Sequence, residues 1–261
     1  MIVEARDISV NRGGALVVRD FSLAARPGEM LGLIGPNGAG KTSLLRALAG
    51  LDPLASGTVT YGGRTPDEIG RRALGRTLAY LPQNGRIHWP LPVEEVVALG
   101  RLPHGAARVD AAVERAMDAV ELAHLRHRSA GTLSGGERAR LLLARALAVE
   151  APVLIADEPV AALDPYHQLQ VMELLRATAR AGTAVVAVLH DLTLAARFCD
   201  RLALMKDGGL IAEGSPAAVL TAERVGGAYG VEVERGEIGG EPVILPWRRR
   251  GRAPARREPE A

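Results

Sequence analysis

The segment Leu31-Gly-Leu-Ile-Gly35-Pro-Asn-Gly-Ala-Gly-Lys41-Thr42-Ser43 joins an apolar run to a glycine-rich turn. Leu31 to Ile34 predict a short buried strand, and Ser43 to Ala49 predict the first turns of a helix. The turn has the pattern G-x-x-x-x-G-K-[ST], in which backbone N–H groups surround phosphates, the lysine reaches them and the hydroxyl binds Mg²⁺. We therefore predict a nucleotide-triphosphate site. Its expected contact residues are Gly35, Pro36, Asn37, Gly38, Ala39, Gly40, Lys41, Thr42 and Ser43.

Lysine usage supports this interpretation of the turn. Only Lys41 and Lys206 are lysines among the 32 basic residues of the chain, and all the others are arginines. A compact ammonium group thus stands at the one position of the pattern that requires it.

Composition narrows the class of protein. The chain has 261 residues, 48% of them hydrophobic and only 3% aromatic, so a large core is expected but few stacking surfaces for nucleic acid. Cys199 is the only cysteine, which excludes an intramolecular disulfide and fits a reducing cytoplasm. No apolar run is long enough to span a bilayer, so we expect a protein that is soluble by itself.

Periodicity predicts alternating strands and helices, which indicates a parallel α/β core. An antiparallel hairpin is expected at 2–10 and 16–24, and a second, short hairpin at 56–63. A helical insertion is expected between the strand at 78–81 and the helix at 138–149, with Asp110 capping one of its helices and Val113, Ala116, Met117 and Val120 on that helix's apolar face. Further strands are predicted at 153–157, 184–189, 202–205 and 210–212, and a hairpin at 231–246.

The C-terminal residues 248–261 are predicted to be a disordered tail. Six arginines against two glutamates give this tail a net positive charge, while the rest of the chain is slightly acidic. A solvated tail and a segment that contacts phosphates or lipid heads both remain open.

Two further motifs carry chemistry. Asp157 and Glu158 end an apolar strand, and such carboxylates supply the acidic partner that Mg²⁺ needs beside a phosphate loop. Ser134, Gly135 and Gly136 stand at the start of a helix, where N–H groups and a hydroxyl form a second anion site.

The phosphate loop, Gln83, Leu133-Ser-Gly-Gly-Glu137, Asp157-Glu158 and His190 occur in one order, and together they resemble the ATP-binding cassette (ABC) ATPases over residues 1–230. The resemblance implies an α/β fold: a phosphate-loop NTPase core with a parallel sheet, an antiparallel N-terminal β subdomain and an inserted α-helical subdomain. It implies a cassette domain at 1–235, with the insertion at about 84–148, and a C-terminal extension at 236–261.

The resemblance also implies roles for single residues. Glu158 polarises the attacking water, His190 holds the γ-phosphate and that water, and Gln83 senses Mg²⁺ and the γ-phosphate. Asp157 holds Mg²⁺ together with Thr42, and Arg12 stands where the family usually has an aromatic residue beside adenine. Ser134, Gly135, Gly136 and Glu137 act on the ATP of a second subunit, and Asp164 communicates between the two sites.

The cofactors implied are ATP and Mg²⁺, and the partners are a second copy, an integral membrane permease and, indirectly, a substrate-binding protein, with no nucleic acid. The subunit is then peripheral, on the cytoplasmic face of the inner membrane. Segments 93–104, 190–196 and 228–233 are similar to the ATPases of iron-siderophore, haem and cobalamin importers. An ATPase of another metal importer, and a soluble cassette protein acting on nucleic acid or ribosomes, remain alternatives. Trp89 is expected either in the core of the helical insertion or in a groove that contacts the permease.

Overall fold

A computed structural model describes residues 1–83, 85, 90–105 and 107–251. The strands are β1 (Val3–Arg12), β2 (Ala15–Ala25), β3 (Met30–Ile34), β4 (Ser56–Tyr61), β5 (Leu78–Leu81), β6 (Val153–Asp157), β7 (Ala184–Val188), β8 (Arg201–Lys206), β9 (Gly209–Gly214), β10 (Val231–Ile238) and β11 (Glu241–Arg249). The α-helices are α1 (Lys41–Leu48), α2 (Pro66–Ile69), α3 (Arg71–Thr77), α4 (Val93–Ala98), α5 (Ala111–Ala119), α6 (Gly135–Leu147), α7 (Pro165–Arg180), α8 (Leu192–Phe198), α9 (Pro216–Val219) and α10 (Ala222–Tyr229).

The largest sheet has the order β5-β6-β7-β3-β8-β9. All neighbouring strands in it are parallel except β8 and β9. Its central strands β3, β6 and β7 are buried along their whole length, as parallel strands covered on both faces should be. Successive residues of β6 pack into different clusters, Leu154 in one and Ile155 in the other, so the sheet separates two hydrophobic cores. The predicted parallel α/β core is confirmed.

The topology brings the predicted site residues to one edge of this sheet. The phosphate loop follows β3, and Glu158 comes directly after β6. Gln83 and His190 each stand two residues after the end of a strand, β5 and β7 respectively. Since parallel strands end at the same edge, these four segments meet there, and such an edge is where open α/β sheets bind ligands.

A separate antiparallel sheet, in the order β2-β1-β4, is formed by the N-terminal region. The predicted hairpin of β1 and β2 is confirmed. The second predicted hairpin, at 56–63, is wrong, because β4 pairs with β1. After the turn that follows β4, the chain makes a single isolated β-bridge, between Arg64 and Tyr61. Thr65 then starts α2 with a capping box to Glu68, which stops the chain from continuing as a strand.

The helical insertion lies between β5 and β6, as predicted. Asp110 caps α5 by accepting from the N–H groups of Ala112 and Val113. Val113, Ala116, Met117 and Val120 are buried, which confirms the predicted apolar face. The helix expected at 138 begins three residues earlier, at Gly135, so both glycines of the Ser-Gly-Gly-Glu motif belong to its first turn. Trp89 lies outside the described residues.

The C-terminal hairpin of β10 and β11 is confirmed and packs on α8, where Thr193 Oγ1 and the backbone of Ile244 exchange two hydrogen bonds of 3.0 Å. The disordered tail was predicted to begin at residue 248, which is wrong, because Arg248 and Arg249 pair with β10. A division at 235/236 falls within β10. Within the described ranges, no helix combines the length and apolarity needed to cross a membrane.

Candidate nucleotide site

The phosphate loop needs glycine at its two ends for reasons internal to the fold. Gly35 and Gly40 have φ angles of 149° and 95°, in the region that side chains disfavour. A Cβ on Gly35 would lie 2.2 Å from the carbonyl oxygen of Met205, and one on Gly40 would lie 2.4 Å from that of Val17. The chain therefore folds the loop only with glycine at both positions.

Lys41 is the first residue of α1 and is 6% exposed. Its Nζ atom donates hydrogen bonds to the carbonyl oxygens of Gly35, at 2.7 Å, and Pro36, at 3.0 Å. Burial lowers the pKa of this ammonium group, while the nearby charges of Glu158 and Asp157 oppose that change. The lysine is thus bound across the loop that it is expected to share with phosphates.

Thr42 and Asp157 form the second feature of the site. The Thr42 hydroxyl donates to Asp157 Oδ1 at 3.4 Å, and Asp157 is 1% exposed. Its other oxygen, Oδ2, is buried without a hydrogen-bond partner among the described residues, and burial raises the pKa of this carboxyl group. A hydroxyl beside an under-coordinated carboxylate is a donor set that suits Mg²⁺, so these residues fit the ion that the motif implies.

Glu158 and His190 make the third feature. Glu158 Oε1 lies 2.6 Å from His190 Nε2, and the Glu158 side chain is 15% exposed against 41% for His190. Glu158 also has a φ of 53°, a left-handed conformation that costs a non-glycine residue about 1–3 kcal/mol. Strain of this kind collects at functional sites, where the surrounding fold imposes it.

These features surround one cavity of about 650 Å³. Its lining contains most of the predicted site residues, namely Arg12, Asn37, Gly38, Ala39, Gly40, Lys41, Thr42, Ser43, Gln83, Glu158 and His190. Val17 also lines it and was missed by the sequence analysis, because nothing in a strand pattern marks which residue packs beside a distant loop. Gly35, Pro36 and Asp157 lie behind the lining, against Lys41 and Thr42.

The other predicted residues form a separate surface. Ser134 Oγ accepts from the N–H of Glu137, and the Glu137 carboxylate accepts from the N–H of Ser134, so α6 begins with a closed capping box. Asp164 caps α7 by accepting from the N–H of His167 at 3.0 Å. The two segments are neighbours, since a Cβ on Gly136 would lie 3.7 Å from Leu163. None of these residues lines the cavity.

Gly135 and Gly136 differ from the glycines of the phosphate loop. A Cβ on Gly135 meets nothing within 4 Å, and one on Gly136 meets only ordinary contacts. Neither residue has a positive φ. Within this chain, therefore, alanine fits at both positions.

The parallel sheet and the loop bound to Lys41 define a phosphate-loop nucleotide-binding protein. A family model described as ABC transporter matches residues 18–161. The hemin import ATP-binding protein of Pseudomonas aeruginosa is 44% identical over 254 residues, covering 94% of this chain and 99% of that protein. The cobalamin import ATP-binding protein of Halobacterium salinarum is 40% identical over 241 residues, covering 90% of this chain and 61% of that protein. A solved ATP-binding subunit of an ABC transporter matches with a TM-score of 0.77 and 25% identity, over 89% of this chain and 96% of that one.

The chain accordingly belongs to the ABC transporter family. It is an ATPase of that family and resembles the ATP-binding subunits of haem and cobalamin importers. The fold predicted from the sequence, a phosphate-loop core with an antiparallel β subdomain and an inserted helical subdomain, is confirmed.

Proposed function

We propose that this chain is the ATP-hydrolysing subunit of a membrane importer that takes up haem, or a related ligand such as cobalamin or an iron-siderophore, through a separate permease. The observation that carries this proposal is the 44% identity to a hemin import ATP-binding protein over nearly the whole of both chains. Cobalamin import relatives are nearly as similar, so the ligand class is broader than haem alone.

In this proposal the cavity holds ATP and Mg²⁺. Lys41 exchanges its hydrogen bonds to the loop carbonyls for bonds to phosphate oxygens. Burial disfavours the charged ammonium group, and the negative charge of the phosphates offsets that cost. Thr42 and Asp157 would hold Mg²⁺, which would supply charge neutralisation at the phosphates. Arg12 lies at the cavity wall, where its guanidinium plane can stack on the base.

Glu158, His190 and Gln83 act on the attacking water. Glu158 accepts a hydrogen bond from the water and takes its proton as the new P–O bond forms and the bond from the γ-phosphorus to the β,γ-bridging oxygen breaks, which leaves ADP and phosphate. The 2.6 Å contact to His190 Nε2 fixes the direction of the carboxylate, so His190 is a positioning residue that also faces the γ-phosphate. Gln83 lines the cavity next to the helical insertion, where it senses Mg²⁺ and the γ-phosphate.

The surface formed by Ser134, Gly135, Gly136, Glu137 and Asp164 completes the site of a second copy. Its support is the open space around Gly135, because a glycine that its own fold does not need leaves room for something outside the chain. The first turn of α6 offers N–H groups and a hydroxyl to an anion. In a head-to-tail pair of subunits with two ATP molecules between them, each ATP contacts the phosphate loop of one subunit and the α6 surface of the other.

The remaining assignments follow from the same proposal. The subunit binds an integral membrane permease and is peripheral to the cytoplasmic face of the inner membrane, and a substrate-binding protein delivers ligand to the permease. Residues 1–235 form the cassette, with the helical insertion at about 84–148, and residues 236–261 form an extension.

The test is to copurify the subunit with its permease, reconstitute the complex in vesicles and measure ATP turnover with haem, cobalamin and an iron-siderophore added separately. Stimulation by one of these ligands supports the proposal. Stimulation only by a free metal ion, or copurification with ribosomes or RNA in place of a permease, would replace it with the corresponding alternative.

A further inference from the structure

A second cavity of about 650 Å³ lies between the far ends of α7 and α8 and the start of β11. It is lined by Arg176 and Arg180 of α7, Arg197 of α8, and two carboxylates, Glu173 and Glu241. None of these residues belongs to the nucleotide cavity, whose lining includes His190, two residues before α8, but no residue of α7. The cavity is therefore a distinct, arginine-rich feature of the C-terminal half.

The charged groups around this cavity are held apart. The one ion pair between them, from Arg197 Nε to Glu241 Oε2, measures 3.9 Å, which is beyond hydrogen-bond distance. Within the described ranges, neither Arg180 nor Glu173 makes an ion pair. The Nε atoms of Arg176 and Arg197 are buried with no hydrogen-bond partner in the same part of the chain. Buried guanidinium donors without acceptors are uncommon in folded proteins and call for an explanation.

Helix-end electrostatics explain only part of this cluster. Arg180 and Arg197 stand in the last turns of α7 and α8, where a cation offsets the partial negative charge of the helix carboxyl end. Arg176 is one turn further inside α7, and it donates from Nη1 to the carbonyl of Arg197 at 3.1 Å. That bond ties the two helices together and fixes the Arg176 guanidinium group at the cavity wall.

We propose that this cavity binds a small organic polyanion, through carboxylate or phosphate oxygens that accept from Arg176, Arg180 and Arg197. Guanidinium groups present planar pairs of donors that match such oxygens, and the volume suits a ligand of metabolite size. Glu173 and Glu241 limit the affinity, since their charges repel the same ligand.

The place of the cavity gives the ligand a route to the ATPase. Helix α7 begins at its cap Asp164, and α8 begins directly after His190 and its cap Asp191. The hairpin that closes the cavity is bonded through Ile244 to Thr193, in the first turn of α8. A bound anion that draws the far ends of these helices together therefore acts on elements that hold two proposed functional residues.

Binding of citrate to the full chain, measured by calorimetry without Mg²⁺, tests the proposal. We expect one saturable site per chain, about fivefold or more weaker in Arg180→Gln and tighter in Glu173→Gln. Both side chains are exposed, so neither change should disturb folding. Arg71→Gln, which removes an exposed arginine on α3, is the matched control and should bind like the wild type.

Three results would overturn the site: no saturable binding, equal binding by Arg180→Gln and the wild type, or binding that ATP abolishes, which would place citrate in the nucleotide cavity. For the route to the ATPase, citrate at constant free Mg²⁺ should change the turnover of the wild type and of Arg71→Gln, but not that of Arg180→Gln. An unchanged wild-type rate would remove the route.

Discussion

The phosphate loop and the first turn of α6, the two glycine-containing segments that we propose as anion sites, differ in what requires their glycines. In the phosphate loop, a side chain at Gly35 or Gly40 would collide with backbone, and both residues have a positive φ. In the first turn of α6, Gly135 and Gly136 have ordinary backbone and room for a methyl group. The first pair is needed for the backbone conformation of its own loop, whereas the second pair is not needed for the first turn of α6.

This difference supports the proposal that the α6 surface serves the site of a second copy. On the phosphate-loop side, one chain supplies every residue named so far. These are Lys41 and Thr42 in the loop itself and Asp157, Glu158 and His190 beside it. The α6 surface is already satisfied internally by the capping box of Ser134 and Glu137, and it is separate from the cavity. We therefore propose that its glycines are needed only where a second copy contacts this surface.

The largest effect is expected on the phosphate-loop side of the site, at Glu158. Glu158→Gln preserves the shape of the side chain but removes the charge that accepts the proton, so ATP turnover should fall by about 10²–10⁴-fold while ATP still binds. Phosphate release measures the rate, and size-exclusion chromatography with ATP should detect an accumulated dimer. Turnover at the wild-type rate would exclude Glu158 as the base and make His190 the first candidate.

The two kinds of glycine should respond oppositely to alanine. Gly136→Ala should leave the free energy of unfolding unchanged or raise it by up to about 1 kcal/mol, yet lower ATP turnover by about tenfold or more. Gly40→Ala, the matched change in the phosphate loop, should lower the free energy of unfolding by about 1–3 kcal/mol.

Urea denaturation of both glycine variants and steady-state phosphate release give these quantities. If Gly136→Ala unfolds the protein, its glycine serves the monomer and the contrast between the two sites disappears. If it leaves turnover intact, the α6 surface does not meet ATP.

A smaller effect is expected from the buried carboxylate of Asp157, beside the phosphate loop. Burial raises the native pKa of Asp157, so the folded state binds this proton more tightly than the unfolded chain does. The free energy of unfolding should therefore fall as the pH rises from the unfolded pKa to the native one.

Asp157→Asn should abolish that part of the pH dependence and stabilise the nucleotide-free protein at neutral pH by about 1 kcal/mol, because a buried charge is removed. Thermal unfolding at several pH values is the measurement, with Asp118→Asn on exposed α5 surface as the control. A nucleotide-free variant that is less stable than the wild type at neutral pH would show that the carboxylate stabilises the empty site.

The smallest effect is expected outside both regions. Deleting residues 252–261 should leave the ATPase rate of the isolated subunit and its unfolding temperature unchanged, because no motif lies there. The deletion must begin after Gly251, since Arg249 is paired in β11 and the N–H of Arg250 bonds to Gly230. A large loss of activity would refute a solvated tail, and loss only of membrane recovery would favour contact with lipid or permease.

The sequence was sufficient for features that depend on local chemistry. The phosphate loop is defined by the spacing of Gly35, Gly40 and Lys41, and the acidic strand end by Asp157 and Glu158. The cap at Asp110 and the apolar face of α5 follow from helical periodicity. Each of these patterns lies within a few residues, where sequence alone determines the geometry.

Features that depend on distant contacts were missed. The pairing of β4 with β1 is determined by packing across the N-terminal sheet, which the local turn at Gly62 and Gly63 does not reveal. The left-handed backbone of Glu158 is imposed by the surrounding fold. The difference between the two glycine sites required knowing which atoms surround each Cβ position.

Mixing two inactive variants tests whether two copies share each ATP. Lys41→Ala removes the phosphate-loop half and Gly136→Ala damages the α6 half, so homodimers of either should be nearly inactive. In a mixed dimer, one site combines the intact phosphate loop of one subunit with the intact α6 surface of the other. An equal mixture should recover about one quarter of the wild-type ATP turnover, since random pairing makes half of the dimers mixed, with one good site each. A mixture no more active than the variants alone would contradict a site shared between two chains.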